Sequence, residues 1–112
     1  MEIKIKRNWE FKSKIDPEVT YKVKYLTTGE LEDCYIVNRV KKQVKIETDI
    51  RKMLEYAVTA ITGLSVVDED TEKKSVIDTI DKLLNTPGLT DYYYELYAEV
   101  PLHNARVDSK NS

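Results

Sequence analysis

Few side chains in this 112-residue sequence carry reactive chemistry. Cys34 is the one cysteine and His103 the one histidine. A thiol and an imidazole can work as nucleophile and base, but nothing beside either residue marks such a pair. The plainer readings are a buried Cys34 acting as a small apolar side chain and a surface His103 beyond a helix end. One histidine and one unpaired cysteine make no zinc set. No disulfide can close within the chain, which suits a reducing compartment. The acidic run "DEDTEKK", residues 68–74, invites comparison with a calcium loop. Counted from Asp68, however, the sixth position is Lys73 where such a loop needs glycine, and the twelfth is Thr79 where it needs glutamate. Gly29, Gly63 and Gly88 are too scattered for a phosphate-cradling loop, and no serine sits in a nucleophile elbow. The expectation is no enzyme, no cofactor, no metal and no catalytic residue.

Two stretches point instead to non-covalent binding. "NRVKKQVK", residues 38–45, holds four Lys/Arg in eight positions. It suits either nucleic-acid contact or a charged strand edge that blocks wrong pairing. "LLNTPGLTDYYYELYAEV", residues 83–100, holds four of the eight tyrosines within six positions. Such aromatic density can be a core face, an interface for another protein or a platform for stacked bases. Base stacking needs basic residues interleaved to neutralise phosphate. Residues 83–105 have none, and Asp91, Glu95 and Glu99 would repel it. The candidate partner-binding residues are therefore Tyr92, Tyr93, Tyr94, Leu96 and Tyr97.

The elements that must position these residues follow from periodicity. Ile3 and Ile5 alternate with charged residues as a strand does, continued by Trp9 and Phe11. "DPE", residues 16–18, reads as a turn, after which Val19, Tyr21, Val23 and Tyr25 share one strand face. Thr27 and Glu30 have capping-box spacing and predict a short helix through Leu31, Cys34 and Tyr35, although "CYIV" has strong β propensity. Val44 and Ile46 alternate within a charged segment that leads toward the next helix. There, Asp49 caps a helix whose apolar stripe is Ile50, Met53, Leu54, Ala57, Val58 and Ile61, ended by Gly63. "LSVVD" reads as extended. Ser75 with Asp78 predicts a second helix carrying Val76, Ile77, Ile80, Leu83 and Leu84, stopped by "NTPG". Thr90 predicts a third cap. Leu89, Tyr92, Tyr93, Leu96, Tyr97 and Val100 then form one stripe, with Tyr94 off it, and Pro101 ends or kinks the helix.

Strands first and helices later predict an α+β domain. It has a small N-terminal antiparallel sheet packed against about three C-terminal helices, over residues 1–104. Residues 105–112 form a polar, flexible tail. Hydrophobic residues are 41% and charged residues 34%, the balance of a soluble globular protein. The N-terminus has no apolar run for a signal peptide, and no segment is apolar enough to span a bilayer. Net charge is −2, unevenly spread: residues 1–52 carry 13 Lys+Arg against 9 Asp+Glu, and residues 53–112 carry 5 against 11. That asymmetry can orient head-to-tail self-association or steer a charged partner.

The order of landmarks over residues 19–100 resembles the tail assembly chaperones of long-tailed bacteriophages. The resemblance rests on Tyr25-Leu26-Thr27 with Glu30, on "ITGLSV" from Ile61 to Val66, on Leu83-Leu84, and on Pro87-Gly88-Leu89 before the final amphipathic helix. It implies a non-enzymatic protein of phage or prophage origin, working in the cytoplasm of the bacterial host. Its partners would be the tape measure protein, kept soluble during tail morphogenesis, and the tail tube protein. The family has no catalytic residues to carry over. A structural tail or head–tail adaptor protein, and a small nucleic-acid-binding regulator using residues 38–45, stand as alternatives.

Overall fold

The computed structural model describes the backbone of residues 1–111 and the side chains of residues 1–104. In chain order the elements are β1 (Asn8–Lys12), β2 (Thr20–Lys24), α1 (Thr28–Asp33), β3 (Tyr35–Val40), β4 (Gln43–Thr48), α2 (Ile50–Ala57), β5 (Val58–Thr62), β6 (Ser65–Val67), β7 (Lys74–Val76), α3 (Ile80–Leu84) and α4 (Thr90–Asn111). A central antiparallel sheet has the order β1-β2-β5, and two separate hairpins are formed by β3-β4 and β6-β7. The α+β architecture is the one the sequence predicts. The polar tail expected over 105–112 falls where no side chain is described.

The sheet begins later than the alternation suggests. Residues 1–7 form no strand, and Ile3 and Ile5 are 72% and 67% exposed. Alternation gives a strand one apolar face, but its backbone N–H and C=O groups still need a neighbour. From Asn8 onward β2 supplies one, pairing Trp9 with Val23 and Phe11 with Tyr21. Asp16 accepts from the Glu18 and Val19 N–H groups and shapes the intervening turn.

The predicted helix over 50–61 stops at Ala57, and residues 58–62 become strand β5. Asp49 does cap it, accepting from the Lys52 N–H at 3.1 Å. The change at Val58 has two causes. "VTAIT" is rich in β-branched residues, which are stiff at χ1 and favour strands. The free edge of β2 also offers a ladder. Val58 and Ile61 are three apart, a helical spacing that a regular strand would send to opposite faces. The register between β2 and β5 runs Lys22–Ala60 and then Val23–Val58, leaving Thr59 as an extra residue. That bulge re-aims the strand, and both Val58 and Ile61 are buried. One apolar pattern therefore serves the core in either conformation.

Further along, the helix expected from Ser75 begins only at Ile80, with Thr79 accepting from the Lys82 N–H as its cap. Ser75 and Val76 belong to β7. The Thr27–Glu30 capping box forms as expected, with Cys34 closing α1. Thr90 is the first helical residue of α4, and α4 runs through Pro101 instead of ending there. The core is built from one face of the central sheet (Trp9, Tyr21, Val23, Val58, Ile61), from Met53, Leu54 and Ala57 of α2, from Ile80 and Leu83 of α3, and from Leu96 and Val100 of α4.

Gly63 was expected to end a helix. It instead turns the chain from β5 into β6, with φ +80°. A Cβ there would lie 2.0 Å from the Glu18 carbonyl oxygen and 2.9 Å from its carbon. Only glycine allows this backbone-to-backbone approach. We expect Gly63→Ala to destabilise the protein by more than about 2 kcal/mol, measured by urea unfolding. An unchanged midpoint would show that the approach is not rigid.

Candidate protein-binding surface

The residues with reactive chemistry are not brought together. Cys34 is fully buried after α1, and its thiol is shifted up, chiefly by burial and then by Asp33. His103 is part of the aromatic layer between α4 and β1, its ring 4.8 Å from Trp9 and 6.4 Å from Phe11. Its Nε2 lies 3.6 Å from the Glu99 carboxylate. The acidic run shapes its own loop: Asp68 Oδ1 accepts from the N–H groups of Asp70 and Thr71. Among the described residues, no group of three or more His, Cys, Asp and Glu is placed to hold a metal ion, and no helix is long and apolar enough to cross a membrane.

The tyrosine-rich helix is held by polar bonds that sequence reasoning missed. Glu95 accepts from the Ser13 hydroxyl at 2.7 Å, the Tyr21 hydroxyl at 2.9 Å and the Lys14 N–H. Ser13 is itself buried and also accepts from the Ile15 N–H at 3.1 Å. One carboxylate on α4 thus fixes both the β1-β2 turn and the middle of the sheet. Further along α4, the buried Asn104 accepts from the Leu26 N–H at 3.0 Å and donates to the Val100 carbonyl at 3.1 Å. In the sequence, Glu95 looked like one more surface charge. The available signal was its position between the buried Leu96 and the half-buried Tyr92, where a free charge is costly to cover.

This anchoring sets which faces of α4 are wet. Leu96 is fully buried and works as core, not as a contact surface for a partner. Tyr92 and Tyr93 are half-buried, their hydroxyls shifted up mainly by burial. Tyr94 and Tyr97 are 59% and 44% exposed. Tyr93, Tyr94 and Tyr97 form a cluster of rings with centroid separations of 5.5, 6.0 and 6.3 Å, in tilted and edge-on geometry. Their mutual packing lowers the freedom each ring would lose on binding, which suits an interface. Of the five predicted residues, the structure brings Tyr93, Tyr94 and Tyr97 onto one accessible patch.

No family model, curated protein or solved structure matches the chain. Its function has to be read from surfaces.

The second surface is one that the sequence only half revealed. Every residue of the β3-β4 hairpin is exposed, from Tyr35 to Thr48. The pairing sets Val37 against Ile46 and Arg39 against Val44, so Tyr35, Val37, Val44 and Ile46 share a face. Two strands flanking a two-residue gap are a hairpin signal, but the gap is Lys41-Lys42 and lacks the usual Asn-Gly. Both lysines take positive φ, 49° and 69°, the geometry that such tight turns demand.

Substitutions on α4 separate anchor, core and surface. Leu96→Ala should cost about 2–5 kcal/mol, whereas Tyr94→Ala should stay within about 0.5 kcal/mol, both read by chemical unfolding. Glu95→Ala leaves three donors without their acceptor and should cost about 2–3 kcal/mol. Equal, small effects at Glu95 and Tyr94 would refute the anchoring role.

The Tyr21 hydroxyl is shifted strongly up, first by burial and then by its bond to Glu95. The folded phenol keeps its proton where the unfolded one has lost it. This contribution is therefore complete below the unfolded value of about 10 and declines as pH rises above it. A pH series of unfolding midpoints should fall above that point, and less steeply for Tyr21→Phe.

Proposed function

We propose that this protein is a non-enzymatic assembly factor of the tail assembly chaperone kind, which binds the tape measure protein and keeps it soluble during tail morphogenesis. The observation that carries the reading is the patch of Tyr93, Tyr94 and Tyr97 on an anchored helix. A holdase needs accessible aromatic surface on a body that does not itself collapse around it. Tyrosine supplies contact area while its hydroxyl tolerates water, which favours release as well as capture. The order of landmarks over residues 19–100 points the same way. The tail tube protein is the second partner of this reading, and the bacterial cytoplasm is the place where both would be met.

A structural role in the tail or at the head–tail junction is favoured by a different observation, the wholly exposed β3-β4 hairpin. Such arms suit a subunit that remains in a particle. A nucleic-acid role for Arg39, Lys41, Lys42 and Lys45 fits less well, because the same hairpin displays Val37, Val44 and Ile46 to solvent.

Co-expression with the tape measure protein of the same genome, followed by size-exclusion chromatography with light scattering, tests the proposal. The long protein should become soluble and co-elute with several copies of this chain. Tyr94→Ala with Tyr97→Ala should abolish the rescue without lowering the unfolding midpoint. A tape measure protein that stays insoluble beside wild-type protein would overturn the reading and favour the structural one.

A further inference from the structure

The chain carries two projecting hairpins that share one design and differ in sign. The first, β3-β4, has Arg39, Lys41, Lys42 and Lys45 against Glu47. The second, β6-β7, has Asp68, Glu69, Asp70 and Glu72 against Lys73 and Lys74. Neither joins the central sheet. Each is closed at its base by a backbone bond, from the Asp49 N–H to the Cys34 carbonyl at 2.7 Å and from the Ile77 N–H to the Leu64 carbonyl at 2.9 Å. Beyond those bonds their outer edges carry unpaired N–H and C=O groups, which template pairing with another chain.

Each hairpin also shows an apolar face to water. On the first it is Tyr35, Val37, Val44 and Ile46, with Arg39 and Thr48 on the same side. On the second the register of Val67 with Lys74 and Ser65 with Val76 puts exposed Val67 and Val76 on the same side, together with Ser65 and Lys74. A two-stranded hairpin alone in water is marginal, and the first bears two lysines in left-handed geometry as well. The molecule is spread out, 53 × 43 × 20 Å with a radius of gyration of 16.7 Å, against about 13 Å for a compact domain near this size, with residues 1–7 and the 22-residue α4 extending it as well as the hairpins. Among the described residues no ion pair or hydrogen bond joins the two hairpins.

We propose that the hairpin of residues 35–48 in one copy docks on the hairpin of residues 65–76 in a second copy, apolar face to apolar face, with the lysine turn of the first against the carboxylates of the second. The occupant follows from complementarity. A nucleic acid would answer the basic turn alone and leave the apolar stripes and the acidic hairpin unmatched. A second copy answers all of them, and one free edge can extend the other. The contact is heterologous, so a basic hairpin stays open at one end of any dimer and an acidic one at the other. It therefore propagates into a ring or a filament. Each contact is small beside the roughly 1,200–2,000 Å² of a stable interface, so assembly is reversible and concentration-dependent. It does not depend on which client the tyrosine patch holds.

Sedimentation velocity on the full chain, from micromolar to near-millimolar concentration at low and high salt, tests this. The wild-type mass should grow with concentration and fall back with salt. Lys41→Glu with Lys42→Glu makes both hairpins acidic, and Glu69→Lys with Asp70→Lys makes both basic. Each double variant alone should associate about two- to thirtyfold more weakly, the range set by two lost surface ion pairs. An equimolar mixture of the two should recover association, because every hairpin then meets its opposite. Recovery on mixing also excludes misfolding as the cause of the loss. A wild type that stays monomeric throughout, variants that associate like wild type, or a mixture that stays monomeric would each overturn the proposal.

Discussion

The carboxylate of Glu95 is the constraint on which most of this structure depends. It takes donors from the β1-β2 turn and from the middle of β2 at once. Asn104, nine residues further along α4, fixes the helix a second time at the end of β2. Nine helical residues span about 14 Å, so α4 is pinned at two separated points. Two pins remove sliding and rotation together. With the rotation set, Leu96 and Val100 point into the core while Tyr94 and Tyr97 point out. The accessible aromatic patch therefore depends on polar bonds made by other residues of the same helix.

The same economy holds at the sheet. Thr59 bulges so that Val58 and Ile61 can both face inward, and Thr59 itself donates to the Lys22 carbonyl at 3.1 Å. Gly63 then lets β5 turn away against the Glu18 carbonyl. These devices let a very short sheet close a core with helices on one side. They also leave the chain before α2 and after β5 free to project. The two hairpins occur at those places, outside the central sheet, and of their side chains Val66 packs against the core.

The molecule thus separates its tasks. The core of β1, β2, β5, α2, α3 and α4 supplies rigidity, with Cys34 and Tyr21 buried and His103 packed among aromatic rings. The open chemistry is at the periphery, in the tyrosine cluster, the basic hairpin and the acidic hairpin. All three are accessible, one as aromatic area and the others as charged strand edges.

What the sequence determined by itself was the set of inward-facing residues and the local caps. Thr27–Glu30 and Asp49 close their helices through side chains only three residues away, so no distant contact is needed to read them. Trp9, Val19, Tyr21, Val23, Leu54, Ile61, Leu96 and Val100 are buried as their spacing implies. Tertiary structure decided the conformation wherever one pattern satisfied two geometries. Residues 58–62 became strand because β2 had a free edge, and Met1–Lys6 did not because the partner chain turns into α1 soon after Tyr25, whose N–H donates to the Arg7 carbonyl. It also decided the role of Glu95, whose donors come from about eighty residues away, a distance over which sequence pattern carries no information. The physical reason is the same in each case. Side-chain burial is written locally as periodicity, but a backbone or a carboxylate is satisfied only by partners that the folded chain brings to it.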